Sequence, residues 1–126
     1  MMVNDPTVLA EVTAAFERYE AALVANDVAV LDEQFLDSPL TVRYGIGENL
    51  YGSEAIRAFR LLRRSTGVDR RLAETVITTY GQDTAIAATL FSHASVPGKV
   101  GRQMQTWIRM PDGWRVAAAH VSVIDA

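Results

Sequence analysis

The segment Gly101–Ser122 constrains the fold more than any other stretch of this 126-residue chain. Two runs of alternating character flank a tight turn at Pro111-Asp112-Gly113, which is the sequence pattern of a β-hairpin with one face at least half buried. Strict alternation places two sets on shared faces: Gln103, Gln105, Trp107 and Arg109 in the first strand, and Val116, Ala118, His120 and Ser122 in the second. A hairpin that turns amide, indole, imidazole and hydroxyl groups to one side predicts a polar pocket, although the pattern does not tell which face lines it.

The first half of the chain carries helix signals. Asp5-Pro6 predicts a helix start, because aspartate caps free amides and proline is tolerated at the first helical position. An apolar stripe at three- and four-residue steps follows, and Asn26-Asp27 is expected to end this helix and cap the next. The stripe contains Val8, Val12, Ala15, Phe16, Tyr19 and Leu23. A second helix is expected over Val28–Phe35, and a third from Ser53 to about Arg64, ended by Thr66-Gly67.

Strand signals begin before the third helix and fill the second half of the chain. Leu40–Tyr44 reads as a short strand before a glycine-punctuated turn. The long strand candidates are Arg70–Tyr80, Thr84–Ser95, Arg102–Ile108 and Trp114–Ile124, joined by turns that contain glycine. Helices followed by an antiparallel meander predict a single α+β domain over residues 1–126. Its helices would cover one face of a strongly bent sheet and leave a cone-shaped cavity.

Composition excludes several classes of function. There is no cysteine, so neither a disulfide nor a thiolate site is available, and a net charge of −3 with a pI near 5.3 argues against nucleic-acid binding. No apolar run reaches the roughly 20 residues of a membrane span, and the N-terminus does not resemble a signal peptide. We therefore expect a soluble cytoplasmic protein. His93 and His120 lie on separate predicted strands without metal-ligand spacing, so no metal or other cofactor is expected.

Anion binding is the chemistry that the remaining residues favour. Arg43 lies on a short apolar strand, where a guanidinium needs a partner. That partner is either an internal carboxylate, with Glu48 nearest in sequence, or a substrate carboxylate held by the guanidinium fork. Gln105 and its neighbours on the hairpin could add neutral hydrogen bonds, and Arg71 is a second candidate cation.

Other polar residues have two readings each. Tyr19 is either a core residue or one whose hydroxyl enters the cavity. His120 is either a satisfied strand histidine or an acid or base, and no acidic partner completes a Ser122-His120 nucleophilic site. The third helix carries four arginines, and this pattern favours a solvated helix face. They are Arg57, Arg60, Arg63 and Arg64.

Three blocks of sequence carry a resemblance to a known family. The blocks are EVTAAFERYEAALVANDV, RYGIGENLYG and GRQMQTWIRMPDGWRVAAAHVS, in this order and over nearly the whole chain. The chain is similar to the NTF2-like superfamily in its SnoaL-like branch, and more narrowly to the small AtzH-like and HpxZ-like family. That resemblance implies a cone-shaped α+β barrel that usually forms a homodimer across the sheet. The hairpin FSHASVPGKV is less arginine-rich than in the family, so no substrate contact is carried over to it.

The resemblance also implies an activity. Its members occur beside genes for ureide, oxalurate and cyanuric acid breakdown, and some act on 1,3-dicarboxyurea as decarboxylating amidohydrolases that give allophanate. Tyr19 and Arg43 match the tyrosine and arginine associated with activity. The HVS ending resembles pocket-lining positions, so His120 is expected to assist as a catalytic residue. Substrate-binding roles are expected for Arg71, Gln105, Trp107 and Ser122.

Three functions are compatible with the sequence. The first is a cofactor-independent hydrolase acting on a small anionic carboxylated urea. The second is a non-catalytic binding or accessory subunit for a neighbouring amidase, and the third is a SnoaL-like isomerase or dehydratase on a hydrophobic ligand. The third needs an inward carboxylate as base, for which only Glu48 and Glu74 are candidates within the strands. The face that carries Met104, Thr106, Ile108 and Met110 predicts a homodimer contact.

Overall fold

A computed structural model describes residues 1–63 and 69–126. Two helices, a short strand pair and a third helix precede four long strands, which is the order that the sequence pattern predicts. The elements are α1 (Pro6–Ala25), α2 (Val28–Gln34), β1 (Val42–Tyr44), β2 (Asn49–Tyr51), α3 (Ser53–Leu62), β3 (Arg70–Tyr80), β4 (Thr84–His93), β5 (Lys99–Met110) and β6 (Gly113–Asp125). The expected third-helix stop at Thr66-Gly67 and Arg64 itself lie outside the described residues.

Local signals set the limits of the first two helices. The Asp5 carboxylate accepts hydrogen bonds from the backbone N–H groups of Thr7 and Val8, at 3.0 and 3.2 Å. Asn26 ends α1 in a left-handed conformation with φ of 53°, and the Asp27 carboxylate accepts from the Val30 N–H at 3.2 Å. Both caps occur where the sequence predicts them, because each depends only on residues within one helical turn.

The sheet has the order β2-β1-β6-β5-β4-β3 and is antiparallel except where β1 runs parallel to β6. The register is irregular in β3 between Ala73 and Val76, and in β6 opposite Thr106 and Trp107. Each irregularity marks a β-bulge. Bulges bend strands and increase their twist, so they curve the sheet around the helices. The fold is therefore the expected α+β arrangement, with helices on the concave face of a mostly antiparallel sheet.

The core lies between α1 and the concave face. Trp107, Leu31, Ile56, Val12 and Val116 are at most 1% exposed. Burial of one such large side chain contributes about 1.5–3 kcal/mol, so the face is set by apolar packing as well as by its polar groups. No helix in the described residues is both long and apolar enough to cross a membrane.

Candidate functional site

Tyr19 lies on the buried stripe of α1 and faces the sheet. It is 6% exposed, and its ring makes an edge contact with Trp107 at a centroid distance of 6.3 Å and 89°. A second, tilted contact with Phe35 has a centroid distance of 6.1 Å. The ring is therefore a core element, which fixes where the phenol oxygen can go.

One row of residues crosses the concave face at right angles to the strands. Arg43 of β1 is in register with Ala119 of β6, and Ala119 is in register with Gln105 of β5. Because neighbouring strands lie about 4.8 Å apart, the Cα atoms of Arg43 and Gln105 are roughly 10 Å apart. Ala119 contributes only a methyl group between them, so the long polar side chains of Arg43 and Gln105 flank a small residue.

Arg43 is paired inside the protein, as one of the two sequence readings expected. Its Nη1 donates to Glu48 Oε1 at 2.8 Å, and the two side chains are 11% and 23% exposed. The backbone N–H of Gly47 donates to Glu48 Oε2 at 3.1 Å. A Cβ at Gly45 would lie 1.8 Å from Glu48 Oε1, so only glycine leaves room for this carboxylate. Within the described residues Glu48 binds Arg43 through Nη1 alone, which leaves the rest of the guanidinium for another acceptor.

Two arginines of the third helix region turn inward, so the prediction of a solvated face is wrong for them. Arg60 is 4% exposed, and its Nη1 donates to Asp32 Oδ1 at 2.6 Å. Arg63 follows α3 directly and is half-buried. Among the described arginines of this region, Arg57 differs in having a 39% exposed side chain that pairs with Asp37 at 3.2 Å. The spacing of Ile56, Arg60 and Arg63 by four and three residues places them on one helical face, and this signal could have identified both arginines.

The pKa of Arg63 depends on the other charged groups of the site. Burial lowers the pKa of its guanidinium below the ordinary value, and the charges of Arg43 and Arg60 act in the same direction. Tyr19 and Glu48 oppose that lowering of the pKa. The side chain is thus close enough to all four groups to interact with them electrostatically. An arginine stays protonated under these conditions, so the site keeps the positive charge.

The inner face carries more arginine than carboxylate. Glu48 neutralises Arg43 and Asp32 neutralises Arg60. Among residues 1–63 and 69–126, no carboxylate lies within ion-pair distance of Arg63. A partly desolvated cation without a carboxylate partner attracts an anion, and it does so more strongly than an exposed arginine would.

Gln105 brings an unused hydrogen-bond donor to the same face. The residue is 1% exposed, and its Oε1 accepts from Trp107 Nε1 at 3.1 Å. Its Nε2 has no hydrogen-bond partner in the described part of the chain. Native proteins satisfy most buried polar atoms, so such an exception points to a ligand or a bound water.

Three of the expected site residues lie on the outer face of the sheet instead. The bulge leaves Ala117 without a partner in β5, because Trp107 is in register with Val116 and Thr106 with Ala118. Beyond it the faces are exchanged, so Ala119 turns inward, and His120 and Ser122 turn outward. His120 packs its ring edge against Tyr44 at a centroid distance of 5.9 Å, and Ser122 Oγ accepts from Arg102 at 3.1 Å.

Arg71 is also exposed, and its neighbour Arg70 is the inward cation. Arg70 Nε donates to Glu20 Oε2 at 2.9 Å, and its Nη2 donates to Glu20 Oε1 at 3.1 Å. Gln103 Nε2 also donates to Glu20 Oε1, at 3.1 Å. Strand alternation selects one of two adjacent arginines, and the sequence pair does not indicate which. The inner face therefore brings Tyr19, Arg43, Gln105 and Trp107 together with Arg63, whereas His120, Ser122 and Arg71 lie outside it.

Metal ligation has no obvious location in this arrangement. Across residues 1–63 and 69–126, no group of three histidine, aspartate or glutamate side chains converges in a way that could hold a metal ion. The inner carboxylates Glu20 and Glu48 are each bound by an arginine instead.

Helices on the concave face of a bent six-stranded sheet, enclosing a polar cluster, define the NTF2-like class of α+β folds, which is also called cystatin-like. An NTF2-like protein of unknown function from Pseudomonas putida KT2440 has this fold with a TM-score of 0.75 at 19% identity, covering 92% of this chain and 86% of that chain. The chain belongs to the AtzH-like family, which it matches over residues 1–126.

Two solved structures are much more similar. A protein of unknown function from the DUF3225 family of Pectobacterium atrosepticum SCRI1043 is 63% identical, with a TM-score of 0.94 and coverage of 98% of this chain and 95% of that chain. A protein with a cystatin-like fold from Burkholderia xenovorans LB400 is 48% identical, with a TM-score of 0.96 and coverage of 100% and 98%. None of the curated proteins matches the chain.

Proposed function

We propose that the protein is a small cofactor-independent enzyme that binds a 1,3-dicarboxyurea-type dianion on its concave face and decarboxylates it to allophanate. The observation that carries this proposal is the surplus of buried positive charge at Arg43, Arg60 and Arg63 over Asp32 and Glu48. Membership of the AtzH-like family and the inward position of Tyr19 support the same reaction class.

The reaction needs one proton and no redox partner. The C–N bond to one carboxylate breaks, its electron pair stays on nitrogen, that nitrogen takes a proton, and carbon dioxide leaves. The dianion and one proton thus give the allophanate monoanion and carbon dioxide. Hydration of that carbon dioxide to bicarbonate releases one proton again. Arg43 holds the carboxylate that is retained, and Arg63 draws the second carboxylate into the site. Tyr19 donates the proton and regains one from water.

Positioning supplies much of the rate for such a substrate. N-carboxylated ureas already lose carbon dioxide once the nitrogen is protonated, so a held geometry and a nearby acid suffice. A hydrophobic-ligand isomerase instead requires an inward carboxylate base that is free to act. On the described concave face Glu20 and Glu48 are both bound by arginine, which fits that alternative poorly.

Turnover of freshly generated 1,3-dicarboxyurea by the purified protein tests the proposal. Allophanate is followed against the spontaneous rate under the same conditions. Production well above the spontaneous rate supports the enzyme. An unchanged rate with folded protein contradicts it and favours a binding or accessory role beside an amidase.

The Tyr19→Phe variant tests the proton donor. Phenylalanine keeps the ring contacts with Trp107 and Phe35 and removes only the hydroxyl, so kcat is expected to fall roughly 100-fold with little change in KM. Steady-state kinetics measure both constants. Tyr44→Phe is the matched control, because its hydroxyl lies 3.1 Å from that of Tyr51 on the other face and its removal should leave kcat unchanged. An unchanged kcat in Tyr19→Phe would exclude the phenol as the acid.

The outer face of the sheet is expected to pair with a second copy of the chain. Met104 is 55% exposed and Tyr44 is 37% exposed, in an apolar depression that also contains Val42 and Ile86. Exposed apolar sheet surface usually has a partner. Sedimentation equilibrium should show a dimer for the wild type and a monomer for Met104→Asp. Val96→Asp, at an exposed turn position away from this face, should remain dimeric, and a monomeric wild type would contradict the expectation.

A further inference from the structure

Gln105 has a hydrogen-bonding group for which the proposed roles of Tyr19 and the arginines give no function. Its side chain is buried in the middle of β5, in register with Ala87 on one side and Ala119 on the other. Both neighbours are alanines, so each contributes only a methyl group beside the amide. One half of the amide is engaged by Trp107, and the other half has no partner in the described residues.

Trp107 fixes which half is free. The indole Nε1–H can only donate, so the amide atom facing it must be the oxygen. Rotating the amide by 180° would set two donors against each other. Gln105 Nε2 therefore presents its hydrogens away from Trp107. A buried donor without an acceptor costs free energy. A ligand that brings an acceptor removes this cost, and the free energy of binding becomes more favourable by that amount.

The acceptor can be specified by charge and place. Gln105 is neutral, whereas Arg43 and Arg63 are the cations of the site that attract carboxylates. Arg43 lies one residue beyond Ala119 on the same row, at a Cα separation from Gln105 of roughly 10 Å. A ligand whose ends are held by arginines can thus place its middle beside Gln105.

We propose that Gln105 Nε2 donates to the central carbonyl oxygen of a linear dicarboxylate, and that Trp107 is the positioning residue that orients the amide for this contact. Gln105 thereby selects ligands with a carbonyl between the two carboxylates over ligands of equal length and charge without it. The inference rests on the proposed function in taking Arg43 and Arg63 as the carboxylate-binding groups.

Two stable probes separate the carbonyl from the charges. 3-Oxoglutarate has the same chain length as 1,3-dicarboxyurea, with methylene groups in place of the two nitrogens, and glutarate differs from it only by lacking the central oxygen. Isothermal titration calorimetry on fresh solutions gives the ratio of their dissociation constants. The wild type is expected to bind 3-oxoglutarate roughly tenfold more tightly than glutarate, because a buried donor is left unpaired by glutarate.

Variants assign that preference to the amide. Gln105→Met keeps similar volume and removes both donors, so its ratio should fall to about one, while its affinity for glutarate stays within about twofold of the wild type. Trp107→Phe retains an aromatic ring beside Tyr19 but frees the amide to rotate, so it should also lower the ratio. Gln34→Met is the matched control, because Gln34 is also almost fully buried, at 2% exposure, and its Oε1 has no partner among the described residues. Gln34 lies on α2, so the ratio for this variant should equal that of the wild type.

The outcomes distinguish this inference from the proposed function. Equal binding of the two probes by the wild type, no binding of 3-oxoglutarate by folded protein, or a preference that survives in Gln105→Met overturns the role of Gln105. Those results leave the decarboxylase standing if 1,3-dicarboxyurea is turned over. A Gln105-dependent preference without turnover supports the ligand class and overturns the catalytic proposal.

Discussion

In the Arg43→Gln variant, decarboxylation of 1,3-dicarboxyurea is expected to lose roughly 100-fold or more in kcat/KM, since truncating one partner of a buried charge pair has effects of this size. Arg43 is 11% exposed and contributes a charge that glutamine does not replace. Its loss removes the guanidinium that the proposed function assigns to the retained carboxylate of the substrate. Steady-state rates of allophanate production measure the effect.

The substitution has a second consequence that needs its own control. Arg43 neutralises Glu48 at 2.8 Å, so Arg43→Gln leaves a carboxylate that repels an anionic substrate. The double variant Arg43→Gln/Glu48→Gln removes that stray charge. If Arg43 binds substrate directly, the double variant stays impaired. Recovery of activity in the double variant would show that repulsion by Glu48 caused the loss and would contradict a direct role for Arg43.

A matched arginine separates the local role from net charge. Arg57 lies on α3, is 39% exposed at its side chain and pairs with Asp37 at 3.2 Å. Arg57→Gln changes the charge of the protein by the same amount as Arg43→Gln. Its kcat/KM should remain within about twofold of the wild type, because exposed ion pairs contribute little and solvent screens their charge.

The elements of the fold could be read from the sequence because their signals are local. Asp5 and Asp27 cap helices through contacts no more than three residues away. The alternation in Gln103–Trp107 likewise reports burial directly, since all three odd positions are at most 3% exposed. Patterns of this kind depend on neighbours along the chain, which a sequence displays.

The sheet face on which the side chains at the end of β6 lie could not be predicted in the same way. Strict alternation places His120 with Gln103 and Gln105, but the bulge at Ala117 adds one residue to β6 and exchanges its faces. Nothing in a run of three alanines marks which of them is the extra residue. The bulge therefore places His120 and Ser122 on the outer face, whereas Gln105 and Trp107 of β5 lie on the inner face.

Buried charges were the other feature that the sequence concealed. Glu20 follows the apolar stripe of α1 and reads as a border residue, yet it is 9% exposed because Arg70 reaches it from β3. The two residues are 50 positions apart, so no local pattern connects them. Arg60 and Arg63 carry a signal in their helical spacing from Ile56, but a charged side chain is ordinarily expected at the surface. The partner of Arg60 is Asp32 on another helix, and no local pattern connects the two residues.

The Arg70→Met variant is expected to lower the free energy of unfolding by about 3–5 kcal/mol, because removal of one partner leaves an uncompensated buried charge. Arg70 makes two hydrogen bonds to Glu20 and one to Gln103, and its Cζ lies 4.1 Å from the centroid of the Phe91 ring. The side chains of the ion pair are only 6% and 11% exposed. Urea unfolding followed by tryptophan fluorescence measures the change.

The cause of that loss is tested by two further variants. Arg18→Met breaks an ion pair with Glu33 whose side chains are 49% and 50% exposed, so about 0–1 kcal/mol is expected. Arg70→Met/Glu20→Gln removes the buried charge together with its partner and should recover part of the stability lost in Arg70→Met. If Arg70→Met costs no more than Arg18→Met, the pair is not what holds α1 against β3. If the double variant recovers no stability, packing against Phe91 rather than charge explains the loss.

Because Glu20 adjoins Tyr19 on α1, recovery of stability without recovery of turnover would show that this ion pair also sets the position of the proton donor.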